Sequence, residues 1–316
     1  MESLNLHGWL PIRIWEEAGE WWVDWCWFGE QRLDQPFFRE SVDDALRLPF
    51  NQAFRRQTPL AALTQWQHES PGVAPSAFIY HASRCGSTLL GQMLSRLPSQ
   101  VVLSEPPALD TLLRAELPAA VRMPALRGLL SAFGQVRGGQ ERALVIKLDA
   151  WNIRERALLR DCFPEVPWLY LYREPLEIAV SHLRQSGMHM IPGLIASTWL
   201  DGDQGPGPRE DEIARRLGLI LEAAVQHSRA EGSLLLNYNE LPAAMSGHLA
   251  DFFGLGPEEV ELAMSASTRN AKHPRDAFVA DSQGKRDEAS ELARERVEAW
   301  ARQPYLELEA MRQARR

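Results

Sequence analysis

Cysteine is scarce in this chain. Cys26, Cys85 and Cys162 are the only three among 316 residues, and they sit in unrelated contexts without regular spacing. They make neither a disulfide framework nor a thiolate metal set, so a reducing, cytoplasmic compartment is the expectation. No run of eighteen apolar residues occurs, which excludes a membrane-spanning helix. The opening MESLNLHGWLPIRIW lacks the basic-then-apolar build of a secretory leader. A basic excess is missing too. With 34 basic and 42 acidic residues the formal charge is -8, which argues against a general nucleic-acid partner and leaves room for a local basic pocket. No internal repeat is evident. What remains is the composition of a globular protein, 45% apolar and 24% charged, in a chain long enough to bury a large core.

The stretch that organises the rest is SAFIYHASRCGSTLLGQMLSRLP, residues 76 to 98. Ala77 to Tyr80 read as a buried strand, and Leu89, Leu90, Met93, Leu94 and Leu97 recur at helical spacing. Between them, HASRCGST makes a tight polar turn. Gly86 permits close backbone approach, Ser87 and Thr88 place hydroxyls at the helix start, and the first N–H groups of that helix lack intrahelical partners. Strand, turn and helix together form an anion seat of the phosphate-loop kind. It is not the loop of nucleotide-triphosphate enzymes, which would have glycine at His81 and lysine at Ser87. The cation is Arg84. A helix start and this arginine should lower the pKa of Cys85, marking it as an oxidation-sensitive thiol; Cys162 reads as a core thiol.

Residues 1 to 75 form a Trp-rich N-terminal extension, with Trp9, Trp15, Trp21, Trp22, Trp25 and Trp27 around a predicted hairpin turn at EEAGE. Two uses fit these indoles: a compact satellite core, or an aromatic surface rimming a binding pocket. PLAALTQWQ, 59 to 67, suits a short helix, and HESPGVAPS, 68 to 76, a linker. From 76 onward short apolar runs alternate with helical patterns. Strands are predicted at 101–103, 143–149, 168–173 and 234–240, with helices from Asp110, over 122–137, over 174–183 and from Ile213. This alternation predicts a parallel α/β sheet covered on both sides. Residues 185–209 are glycine- and proline-rich but carry MIPGLIASTWL, the composition of a lid.

A second constellation is LYREPLEIAVSHLR. Arg173 stands at a strand end and Ser181 eight residues later on the next helix, a guanidinium fork and a compact hydroxyl suited to phosphate; alone, Arg173 could equally pair with Glu177. Together, RCGSTLL at 84–90 and this R-x7-S element resemble the sulfotransferases that use 3′-phosphoadenosine 5′-phosphosulfate (PAPS). That family's loops read R-S-G-S-T-L-L or P-K-S-G-T-T-W, and its second element R-[DN]-P-x-[DE]-x-x-x-S. Arg173, Pro175, Glu177 and Ser181 match in register; Cys85 and Glu174 depart from the usual serine and aspartate. Tyr238, Glu240 and Leu241 resemble the family's Y-E-D-L turn, with Asn239 departing. The resemblance covers roughly residues 76 to 255 and implies a three-layer P-loop-like fold over 76–316.

The resemblance further implies transfer of a sulfuryl group from PAPS, leaving 3′-phosphoadenosine 5′-phosphate (PAP), to a hydroxyl or amine of a small molecule, carbohydrate or peptide, with no metal required. Arg84, Cys85, Gly86, Ser87 and Thr88 would hold the 5′-phosphosulfate, and Arg173 and Ser181 the 3′-phosphate. Lys285 and Arg286, in DSQGKRDEAS, stand where many members close a loop on the nucleotide. Arg84 would stabilise the leaving group. Glu105, in LSEPP, resembles the carboxylate base of the branch acting on carbohydrates or protein tyrosines, provided that burial raises its pKa; His81 is the rival base. Two other classes stay open: an ATP-dependent kinase with Asp149 holding a metal, which lacks the loop lysine, and a noncatalytic nucleotide-binding or protein-interaction domain that uses its tryptophans. Lys147 reads as a sheet-edge or substrate-side charge.

Overall fold

The computed structural model describes residues 4–195, 198–201, 207–229, 233–268 and 282–316. Five short apolar runs form one all-parallel sheet: β4 (Pro75–His81), β5 (Gln100–Ser104), β6 (Ala143–Lys147), β7 (Trp168–Tyr172) and β8 (Ser233–Asn237), in the order β5-β6-β4-β7-β8. Strands buried on both faces need no polar alternation, which is why they read as continuous Val/Ile/Leu runs. The chain leaves β4 toward β5 and then steps back through β6, β7 and β8 in the opposite direction. Right-handed crossovers therefore put helix Ser87–Ser95 on one face of the sheet and the later crossovers on the other. The predicted α/β class with a central parallel sheet is the observed one.

Order reverses at β4, so the crevice beyond the carboxyl ends of the strands lies at a topological switch point, the place where such sheets bind ligands. His81, Glu105, Lys147, Arg173 and Tyr238 stand at or just past the ends of β4, β5, β6, β7 and β8 in turn.

The N-terminal residues form a second sheet. β1 (Trp9–Glu17) and β2 (Glu20–Trp27) pair around the Ala18-Gly19 turn, and β3 (Arg56–Pro59) adds antiparallel to β2. Trp9 and Trp25 are buried, whereas Trp15, Trp21, Trp22 and Trp27 stay partly exposed. This part shares one hydrophobic core with the parallel sheet. Phe38 packs edge-on against Phe133 with centroids 5.6 Å apart, and Arg32 donates to the carbonyls of Ser95 and Leu97.

Several predicted elements shift. Residues 68–76 do not behave as a linker: Val73 N–H donates to Gly134 O at 2.8 Å, and a Cβ at Gly72 would meet Ser131 O at 2.1 Å. Only glycine allows that approach. The helix expected over 122–137 spans Ala119–Phe133 and ends at Gly134. Within 185–209 the described residues contain a 3-10 turn, Met188–Met190, and a short helix, Thr198–Asp201; 196–197 and 202–206 lie outside them.

Candidate active site

The loop after β4 is held from two sides. Ala82 N–H donates to Leu171 O on β7 (2.9 Å), and Ser83 N–H donates to His81 Nδ1 (3.0 Å). Ser83, Arg84 and Gly86 have φ of 63°, 47° and 90°. Left-handed backbone at two non-glycine residues is strain of about 1–3 kcal/mol each, tolerated at sites where successive N–H groups must converge on an anion. Helix Ser87–Ser95 follows with Ser87 and Thr88 in its first turn, both nearly buried. Arg84 reaches across the crevice, where its Nη2 donates to Gln185 O at 2.9 Å.

Cys85 does not have the reactive environment predicted for it. Its side chain is fully buried against β7, 3.2 Å from Leu171 O, and burial pushes the thiol up to about 12. Desolvation outweighs both the helix start and the nearby cations.

Glu105 sits past the end of β5 with φ of 54°, its N–H donating to Lys147 O at 2.7 Å. Lys147 Nζ donates to Glu105 Oε1 at 2.5 Å, and His81 Nε2 lies 3.3 Å from the same oxygen. The expected upward shift of Glu105 is reversed. Burial does push the carboxyl up, but the Lys147 ammonium and His81 more than offset it and hold the group well below the usual carboxylate range. His81 is equally constrained. Burial lowers its pKa, and because Nδ1 accepts the Ser83 N–H the ring proton belongs on Nε2, facing Glu105. Lys147 is no edge charge: it is fully buried on an interior strand, with its ammonium also 4.8 Å from the Phe37 ring.

These groups line one cavity of about 180 Å³. Phe37, His81, Ser83, Arg84, Ser87, Thr88, Glu105 and Asp149 form much of its wall, and Trp151, Met188 and His189 complete it. The expected lid segment thus supplies residues 187–189, and the aromatics are Phe37 and Trp151 rather than the hairpin tryptophans. Larger hollows of about 250 Å³ at Gln100 and Arg137, and about 520 Å³ at Ser233 and Arg312, lie toward the amino ends of the strands, away from this constellation. Asp149, the metal-holding residue of a kinase reading, lines the same cavity, with its carboxyl pushed up by burial and by the Glu105 and Asp110 charges.

The second constellation closes from the other side. Arg173, 4% exposed, donates from Nε to Glu177 Oε2 at 2.5 Å, and its guanidinium carbon lies 4.2 Å from the centroid of the Tyr238 ring. Arg286, on helix Ser282–Glu288, donates from Nε to the other carboxylate oxygen of Glu177 at 2.8 Å. Glu177 therefore gathers the two arginines. Ser181 lies one helical turn beyond Glu177 on the same face, and Lys285 is buried beside Arg286. Tyr238 joins the two halves: a Cβ at Gly86 would lie 2.6 Å from its ring.

Sequence reading missed the Glu105–Lys147 pair and the placement of His189. A lysine inside the apolar run ALVIKL did signal the first, because a buried ammonium requires a partner. Nothing in GMHM signalled the second.

No family model and no curated protein sequence matches the chain. Among solved structures it is similar to a sulfotransferase from Alicyclobacillus acidocaldarius, at 18% identity over 76% of this chain and 96% of that one, with a TM-score of 0.47. It is also similar to a sulfotransferase from Mycobacterium avium, at 11% identity over 77% and 81% with a TM-score of 0.43. The sulfotransferase domain from the curacin biosynthetic pathway is 17% identical over 72% and 98%, with a TM-score of 0.43.

Proposed function

We propose that this protein transfers a sulfuryl group from PAPS to an acceptor hydroxyl or amine. The observation that carries the reading is the joining of its two motif elements through one side chain: Tyr238 lies against Gly86 of the first loop and under the guanidinium of Arg173 from the second. A bisphosphorylated nucleotide has two anionic ends to hold. The turn with Arg84, Ser87 and Thr88 suits the 5′-phosphosulfate, and Arg173, Ser181 and Arg286, with Lys285 nearby, suit the 3′-phosphate.

In this reading the transferring sulfuryl group sits in the 180 Å³ cavity. Charge developing on the leaving 5′-phosphate is stabilised by Arg84 and by the first N–H groups of helix Ser87–Ser95. Lys147 stands directly behind the cavity wall, bonded to Glu105, which lines it, and can support the sulfuryl oxygens from there. Glu105 in the unliganded site is an ionised anchor for Lys147 and His81 rather than a base tuned near neutrality. A permanently charged Arg84 stabilises without donating a proton.

The direct test is incubation with radiolabelled PAPS and a panel of phenols, sugars, alcohols and tyrosine peptides, with PAP and label-bearing acceptor as the products followed. Label transfer that is lost in Arg84→Ala supports the reading. Label remaining on the donor, with ATP turned over instead, contradicts it and returns the kinase reading.

A further inference from the structure

We propose that His189, on the segment covering the cavity, is the catalytic residue that contacts the acceptor and takes its proton. The assignment rests on the sulfuryl-transfer reading above and deepens it. The two bases expected from sequence are both engaged. Glu105 is bound to Lys147 and His81 through Oε1, and His81 spends its Nδ1 lone pair on the Ser83 N–H that shapes the loop. Protonating His81 would break that loop bond.

His189 is placed differently. It lines the same cavity as Arg84, Ser87 and Thr88 but comes from a different element, the 3-10 turn Met188–Met190 that follows helix Pro175–Arg184. Its side chain is 5% exposed, and its buried Nε2 has no hydrogen-bond partner among the described residues. A buried imidazole without a partner is unfavourable unless a ligand supplies one. The ring is nonetheless fixed: it lies 5.3 Å from Trp151 and, edge-on, 5.3 Å from His182. Its backbone is fixed as well. Arg216, itself buried, donates from Nη1 to His189 O at 3.1 Å and also binds Glu212 and Asp201. Burial, together with His81, Arg84 and Arg216, pushes the His189 pKa down to about 3, so the ring is neutral and carries a lone pair. A doubly anionic donor arriving beside it raises its affinity for a proton.

The acceptor oxygen attacks sulfur as its proton passes to the unprotonated ring nitrogen of His189. The bond between sulfur and the bridging oxygen of PAPS breaks, and its electron pair leaves on the 5′-phosphate of PAP. The imidazolium returns its proton to water when products depart. Arg216 acts here as a positioning residue.

The test compares His189→Gln and His189→Asn, which keep a polar side chain but no basic nitrogen, with Glu105→Gln. PAP binding by calorimetry is read on every protein. Transfer from PAPS is read to benzyl alcohol, to 4-nitrophenol at a pH where it is already ionised, and to water. The assignment predicts that the His189 variants bind PAP like wild type. They should lose transfer to benzyl alcohol and water by about 100- to 10,000-fold, and to 4-nitrophenolate by less than about tenfold, because a phenolate has no proton to give up. Unchanged alcohol and water turnover overturns the assignment, as does an equal loss on all acceptors, which marks a structural role. A loss confined to Glu105→Gln, with both His189 variants unchanged, overturns the assignment too. Wild-type protein that binds no PAP brings down the sulfuryl-donor reading itself, a result distinct from each of these.

Discussion

The ring of Tyr238 lies directly on the backbone of Gly86. A Cβ at that glycine would sit 2.6 Å from Tyr238 Cδ2, and φ at Gly86 is +90°. One contact therefore fixes how far the loop after β4 stands from the end of β8, and the same ring carries Arg173 on its face at 4.2 Å. Gly86→Ala meets both a forbidden backbone region and a packed ring. It is expected to lower stability by about 1–3 kcal/mol in urea unfolding and to weaken PAP by at least about tenfold in calorimetry, because the loop can no longer converge its N–H groups.

Arg173 and Arg286 share Glu177 but differ in burial. The Arg173 side chain is 5% exposed and that of Arg286 is 47% exposed. Charge-assisted bonds out of solvent are the stronger ones. Arg173→Ala is expected to reduce PAP affinity by about 1.5–3 kcal/mol. Arg286→Ala should reduce it by no more than about 1 kcal/mol, an effect that shrinks with added salt. Titration at low and high salt separates the two.

The Glu105–Lys147 pair links the site to stability. Lys147 is fully buried, whereas the Glu105 side chain is 23% exposed and keeps His81 at 3.3 Å, so Glu105→Gln, which strands the ammonium, should destabilise by about 3–5 kcal/mol and Lys147→Met by less, with the double variant below their sum. The pH dependence follows from the depressed Glu105. Its folded pKa lies below its unfolded value, so the unfolded chain binds more protons in acid and stability rises with pH. The pair's contribution is complete above about pH 4.3, the ordinary glutamate value, and is lost as pH falls below it. Urea unfolding from pH 7 downward should show that acid loss in wild type and a smaller one in Glu105→Gln.

Cys85 should be inert in the folded protein despite its place in the loop. Its burial and a thiol pushed up to about 12 predict slow alkylation by iodoacetamide at pH 8, with full reaction only after denaturation. Rapid native-state labelling at Cys85, mapped by mass spectrometry, contradicts the packing described for the loop.

The sheet was legible because each buried parallel strand is a short apolar run, and the two polar motifs were legible because their residues are close in sequence: Arg84 to Thr88 in one turn, Arg173 to Ser181 from a strand end to the next helix. Properties set by distant partners were not. Glu105 and Lys147 are 42 positions apart, and only their meeting reverses the expected rise of the carboxyl pKa. Cys85 was misread for the same reason, since its burial depends on β7, 86 residues away. His189 reached the cavity through Arg216, whose hold on a backbone carbonyl leaves no trace in residue spacing. Arg286 came to Glu177 by the packing of helix Ser282–Glu288 on Pro175–Arg184, which no local pattern records.

The most direct test of the central claim is calorimetric titration of the purified protein with PAP and, separately, with ATP and magnesium. The account predicts a clear preference for PAP that disappears in Arg173→Ala, because the proposed function gives the 3′-phosphate to Arg173, Ser181 and Arg286. Tighter binding of ATP with magnesium, or PAP binding indifferent to Arg173, contradicts it.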